Sequence, residues 1–383
     1  MITQSSAEEK YQRESPLNKV TFTGKSNYGF SAKLKERVED YFKSNHKSRH
    51  ANFHMYLKTA FYVLGWIGFY CAVISQQFSE PMMLLMMAAI GFFMAGIGFN
   101  VGHDAIHGSY STSSRLNKIM SSGFELVGAS AYTWRIRHNM LHHSYTNIKG
   151  ADGDLESISL MRFCIRPGRK KYHAYQHFYA PLLYSLTSLV WVFSKDYRHM
   201  AEERRLQRLK RKPPLSVYVA LFSFKFLHYF LFLILPIFIL KIAFWKVLVG
   251  FLAMHLVAGF MLAIVFQLGH CVEGPSYYTY PDDGTIKTPW AEHQLCTSAN
   301  FGEHPLTTWI CGGLNFQIEH HLYPNVCHVH YKAISKIVKA TAKEFKLPYY
   351  DHGNFIKGVA SHLRTLKYFG RTDPLPVEHK MTA

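Results

Sequence analysis

Long uncharged blocks alternate along the chain with dense basic ones. Residues 59–75 hold 17 positions without a charge, residues 81–100 hold 20, and residues 247–268 hold 22. Residues 216–240 hold 25 with a single charge, Lys225. A helix needs about 20 apolar residues to cross the hydrocarbon core of a bilayer. The pattern therefore predicts four membrane-spanning helices at about 57–76, 81–101, 216–240 and 247–269, the first being the weakest. The links at 76–80 and 241–246 are too short for anything but tight reversals, so the helices form two antiparallel hairpins. Outside the blocks, a helix is expected around residues 32–44 of a polar arm, 1–55. Residues 118–131 are amphipathic. Residues 178–193 are uncharged but short for a span, and Pro181 sits near their start. They carry Ser and Thr and are expected to lie in the membrane interface; a fifth crossing would reverse the side on which the later histidines sit.

Charge then orients the frame. The chain carries 43 Lys and Arg against 25 Asp and Glu, a formal charge of +18. Eleven of the cations precede residue 59, 18 lie in 101–215 and 11 follow residue 268, while the two links hold none and two. Basic residues stay on the cytoplasmic side. Both termini and the central segment are therefore expected in the cytoplasm, and the basic runs at 166–171 and 204–212 are read as membrane anchors, with no nucleic-acid motif beside them. The first 50 residues contain no apolar signal-peptide core. The content of Phe, Tyr, Leu and Ile excludes disorder. The six Cys form no CxxC pair, so reduced thiols are expected.

Histidine changes the picture from structure to chemistry. There are 23, and several cluster at ligand spacing. His103 and His107 lie just past the second block, in GHDAIHGSYS. His138, His142 and His143 lie in RHNMLHHSYTN. Gln317, His320 and His321 lie in NFQIEHHLYP. Imidazoles at i and i+4 of a helix point to one side, so His103 pairs with His107 and His138 with His142. His270 follows the fourth block as His103 follows the second, with Gln267 one turn before it. Eight histidines exceed the needs of one ion; shared between two, they leave each about four ligands and room for water or oxygen. Two redox-active irons beside a membrane point to oxygen chemistry on an apolar substrate. Gln317 is read as a donor behind the ligands or as a ligand itself, and Gln267 as a residue that hydrogen-bonds into the same site or binds there. Asp104, Asp152, Asp154, Glu156 and Glu319, with Asn147 and Tyr145 as weaker candidates, are near enough in sequence to hold the second imidazole nitrogens.

The remaining histidines read differently. His255 lies 15 residues before His270, about 22 Å along one helix, and is expected to be a hydrogen-bonded residue within the membrane, as is His228. Lys225 is expected to snorkel to the surface. His173, His177, His199, His293, His304, His328 and His330 lack paired spacing and are read as structural or solvated.

From about residue 60 to 335 the chain resembles the membrane-bound fatty acid desaturases. The resemblance rests on HDAIH, HNMLHH and QIEHH with their flanks HGSYS, HHSYTN and NFQIEHHLYP. It implies an all-α membrane protein whose cytoplasmic helical cap holds a di-iron centre, bound by His103, His107, His138, His142, His143, His270, His320 and His321. It places the membrane desaturase domain at 56–335, between the arm and a tail at 336–383. It implies O₂-dependent insertion of a cis double bond into an acyl-CoA or acyl-lipid. The Gln317 that opens the third motif resembles the front-end subgroup, of Δ6 and Δ5 type. That subgroup often carries a fused cytochrome b5 with an HPGG motif; this sequence contains no HPGG, which implies an external donor such as ferredoxin or cytochrome b5. Expected tunnel walls are the second and fourth spans and residues 124–134, with Arg135, Arg137 and the run at 166–171 near an anionic headgroup. Two readings compete. A di-iron hydroxylase or ketolase shares the clusters and differs in its product. A metal transporter would place carboxylates inside its spans, and the four blocks contain none.

Overall fold

A computed structural model describes residues 20–24, 29–155, 159–165, 168–205, 213–281 and 283–372. Four helices in it are long and apolar enough to cross a membrane: Phe53–Ile74, Glu80–Ile106, Leu215–Ile239 and Phe244–His270. The first begins where the Asn52 side chain accepts a hydrogen bond from the Met55 N–H, which satisfies one of the free donors of a helix start. The second starts with Pro81 in its first turn. Residues 178–193 are not part of any helix that is long and apolar enough to cross. They form Gln176–Ser185 and Thr187–Val190, followed by a π-helical turn, Trp191–Lys195. Ala180 and Tyr184 bury against the fourth span while Phe178 and Leu182 stay exposed.

The second and fourth spans form the centre. A Cβ on Gly91 would overlap the Met254 carbonyl, so glycine is what lets the two backbones touch. Ile90, Met94, Phe251 and Met254 are buried there, with Tyr62 and Trp66 of the first span and Phe232 of the third. Leu64, Leu85, Phe222 and Phe238 are exposed, the apolar outward faces that a lipid solvent would cover. Lys225 departs from expectation. It is buried, and its ammonium reaches Asp196 Oδ2 at 2.7 Å rather than snorkelling.

The rest of the chain builds a cap. Phe30–Ser44 buries Phe30, Leu34, Val38 and Phe42, one residue per turn, against Ile334, Val338 and Ala342 of Tyr331–Glu344. Three parallel pairs of two-residue strands tie distant loops together. Among them, Ile148–Lys149 pairs with Tyr278–Thr279, joining the loop after the second histidine motif to the chain that leaves the fourth span. Every strand among the described residues is this short, so the fold is all-α.

Candidate metal centre

Two π-helical segments shape the site. The second span does not end as a plain helix. It passes through a π turn, Gly98–Gly102, before His103 and His107. The second motif lies on Arg135–His142, itself π-helical. A π-helix turns every four to five residues, which brings His143 against His138. Their Nε2 atoms are 3.2 Å apart. The His142 ring still stacks on that of His138, 5.4 Å away at 17°, so the two share a face as expected, but the His142 ligand atom joins a different group. Such wide turns are common at functional sites. The third motif, Gln317–Leu322, splits its two adjacent histidines between the same two groups.

The ligand atoms of His103, His107, His138 and His320 form one group, and those of His142, His270 and His321 a second; within each, all lie within 4.8 Å of one another. His143 stands between them, its ring 4.5 Å from His320 and 4.4 Å from His321. All eight sequence-identified histidines therefore meet at one place, at the ends of the second and fourth spans.

Their protonation follows from what lies behind them. His270 Nδ1 faces the Thr297 carbonyl at 3.1 Å, and a carbonyl only accepts, so Nδ1 carries the proton. His321 Nδ1 faces the Gln294 carbonyl oxygen at 2.9 Å and is protonated for the same reason. Both Nε2 atoms then bear lone pairs, and they face each other at 3.1 Å. Two lone pairs at that distance repel unless a cation lies within reach of both. Nitrogens about 2.1 Å from one ion and at right angles stand about 3.0 Å apart, which matches this separation and the 3.0 Å between His103 and His138 Nε2. His107 Nε2, His143 Nδ1 and His320 Nε2 are buried with no hydrogen-bond partner among the described residues. Burial, and then the neighbouring imidazoles, hold His107, His138, His143, His320 and His321 well below the ordinary histidine range. They are neutral, the form that binds metal. The donor set fits a pair of transition-metal ions.

The supporting residues are only partly those near in sequence. Asp152 meets His142 Nδ1 with both oxygens at 3.1 Å. Tyr331 Oη meets His320 Nδ1 at 3.2 Å. Gln317 lies against Gly269 and His270. Asp104 faces away from the imidazoles of the two groups. It accepts from His328 Nδ1 at 2.8 Å, and His328 Nε2 lies 3.1 Å from Lys58. Glu319 also faces away, accepting from Asn300 and the Tyr349 hydroxyl, and burial pushes its carboxyl up to about 7. Asn147 donates to backbone carbonyls behind His270, and Tyr145 packs in a separate small core. Glu156 and the Asp154 side chain lie outside the described residues. Gln294, Thr297 and Tyr331 were invisible to spacing arguments, because they reach the site from other parts of the chain.

A cleft of about 530 Å³ opens beside the second group, with His142, His270 and Gln267 in its wall. Trp134, Trp191, Leu262 and Phe266 line its apolar part; the second span contributes nothing, contrary to expectation, and the Gln176–Lys195 stretch takes its place. Arg137, Lys195, Arg198 and His199 line the polar part, with Glu202 3.3 Å from Arg137. Arg135 is exposed and outside the cleft, and the described part of the run at 166–171 does not line it.

A family model for fatty acid desaturases matches residues 79–353. The chain belongs to the fatty acid desaturase family. It is 33% identical over 358 residues to an sn-1 linoleoyl-lipid 6-desaturase of Synechocystis sp., spanning 92% of this chain and 98% of the relative. It is 34% identical over 356 residues to an enzyme of the same description from Arthrospira platensis, spanning 92% and 95%. An acyl-lipid (8-3)-desaturase of Physcomitrium patens is 33% identical over 379 residues, spanning 97% of this chain and 77% of the relative. This desaturase is an oxidoreductase of lipid metabolism. Its two histidine groups bring together ligand atoms that could hold a metal ion.

Proposed function

We propose that this desaturase inserts a cis double bond into an acyl chain carried on a membrane lipid, between the carboxyl end and an existing double bond, in the manner of a 6-desaturase. The observation that carries the reading is the pair of opposed imidazole lone pairs of His270 and His321, set beside an apolar cleft. His103, His107, His138, His142, His143, His270, His320 and His321 would hold two iron ions, which supply O₂ activation and hydrogen abstraction when bound. The balance is two hydrogens from adjacent methylenes, one O₂, two electrons and two protons, giving one double bond and two waters. The electrons come from an external donor, ferredoxin or cytochrome b5.

The chain's own residues do the rest. Asp152, Gln294 and the Thr297 carbonyl hold His142, His321 and His270 in the tautomer that aims Nε2 inward. Trp134, Trp191, Leu262 and Phe266 give the acyl chain an apolar wall and keep water from it. Arg137, Lys195 and Arg198 offer cations to an anionic headgroup at the mouth. Unactivated methylenes are chemically alike, so selectivity is positioning. The excess of basic residues outside the links supports a cytoplasmic site and cytoplasmic termini, with the membrane domain at 56–335.

The test is lipid profiling of an expressing host fed linoleate, with iron measured in the purified protein. A new double bond on the carboxyl side of the existing ones, lost together with iron in His142→Ala and His320→Ala, is expected. A new hydroxyl group, or product formation unaffected by both variants, overturns the reading.

A further inference from the structure

Asp196 lies outside the histidine centre and outside the cleft lining, yet it is fully buried and accepts four hydrogen bonds. At Oδ2 it receives the Ser130 backbone N–H at 3.0 Å and the Lys225 ammonium at 2.7 Å. At Oδ1 it receives the Thr133 hydroxyl at 2.6 Å and the Trp191 indole N–H at 3.0 Å. These donors come from three parts of the chain: the turn that opens the second histidine motif, the segment that walls the cleft, and the third span. Lys225 ties the same parts again through the Gly128 and Trp191 carbonyls at 2.6 and 3.1 Å.

What the clamp holds is the indole wall. Trp134 and Trp191 line the cleft with ring centroids 4.9 Å apart. Trp134 also stacks on His138, 4.8 Å away at 23°. One hydrogen-bonded step from Asp196 therefore reaches a cleft wall in direct contact with a metal-site imidazole. A buried ion pair gives little net stability over an apolar pair of the same size, because desolvation offsets the attraction. Here it fixes a geometry instead.

We propose that Asp196, clamped by Lys225, is a positioning residue that sets the register of the acyl chain against the histidine centre by holding Trp191 and Trp134 in place. The inference rests on the acyl-chain reading of the cleft. Registers that differ by one methylene are separated by about 10- to 200-fold in an apolar pocket of fixed shape. Loosening the wall narrows that margin without touching a ligand.

The test uses Asp196→Asn/Lys225→Met, which removes both charges together, and Thr133→Val, which removes one donor at constant shape. Product double-bond positions and bound iron are measured in each. Wild-type iron is expected, with the minor positional isomers rising about ten-fold in share. An unchanged isomer distribution with iron bound overturns the proposal. Should the double variant fail to fold, Thr133→Val decides alone. A second readout needs no turnover: quenching of tryptophan fluorescence by acyl chains brominated at successive carbons. The profile is expected to peak at one carbon in the wild type and to flatten in the variants; identical profiles overturn the proposal. If the wild-type product is a hydroxylated chain, or none forms, the desaturase reading fails, while the quenching profile still tests the register.

Discussion

Two pairs of buried histidines in this molecule have the same spacing and opposite characters. In the cap, His270 and His321 present Nε2 atoms 3.1 Å apart; in the membrane core, His228 and His255 do likewise, also at 3.1 Å. The difference lies in what surrounds the rings. The cap pair is joined by His142, so three ligand atoms lie within 4.8 Å of one another, and Asp152, Gln294 and the Thr297 carbonyl orient the three rings from behind. The core pair has no third His, Cys, Asp or Glu ligand within that reach among the described residues. Ser188 gives its one hydroxyl proton to the His255 carbonyl and accepts at His255 Nδ1. Distance alone does not make a metal site; a third converging imidazole does.

The widest break between the two pairs is expected from removing a ring. His321→Ala should lower metal affinity by more than the roughly 10- to 100-fold that outer partners command, and abolish product. His255→Ala should leave metal content at the wild-type level. Equal metal loss in both would end the distinction, and metal analysis of the two purified proteins reads it directly. The next effect concerns the outer partners. Asp152→Asn should weaken metal binding by about 10- to 100-fold while the chain still folds, because the amide can turn a donor toward His142 and favour the wrong tautomer. Chelator titration against wild type measures this.

Ser188→Ala sharpens the other side. It removes the hydroxyl that donates to the His255 carbonyl at 2.7 Å and accepts from His255 Nδ1 at 2.9 Å. The expected cost is about 1–3 kcal/mol of stability from unsatisfied buried polar groups, with no change in metal content. Thermal unfolding in detergent gives the value. The smallest effect is in pH. Burial holds His362, outside the spans and the metal site, down to about 4, with its Nδ1 donating to the Cys271 carbonyl. Its folded pKa is below the unfolded value of about 6.5, so the unfolded chain binds more protons as pH falls. The contribution is therefore fully present above about pH 6.5 and is lost between that pH and about 4. His362→Gln should flatten the stability profile in that window and leave it unchanged at pH 8.

The sequence determined the number of long apolar helices, their hairpin pairing and the identity of the eight histidines. Each of these is written in local patterns: runs of uncharged residues, short links and imidazoles at helical spacing. The tertiary structure decided which histidines stand together. His138 meets His143 because the helix there widens by one residue per turn, a backbone choice that spacing does not announce. It also decided the outer partners. Asp104 and Glu319 are adjacent to ligands in sequence yet face away, whereas Gln294 and Tyr331 reach in from elsewhere. Lys225 was legible as a charge in a span, but its partner, 29 residues earlier, was not. A hydrogen bond requires two groups at fixed distance and direction, and for groups on different elements only the packing of those elements supplies either.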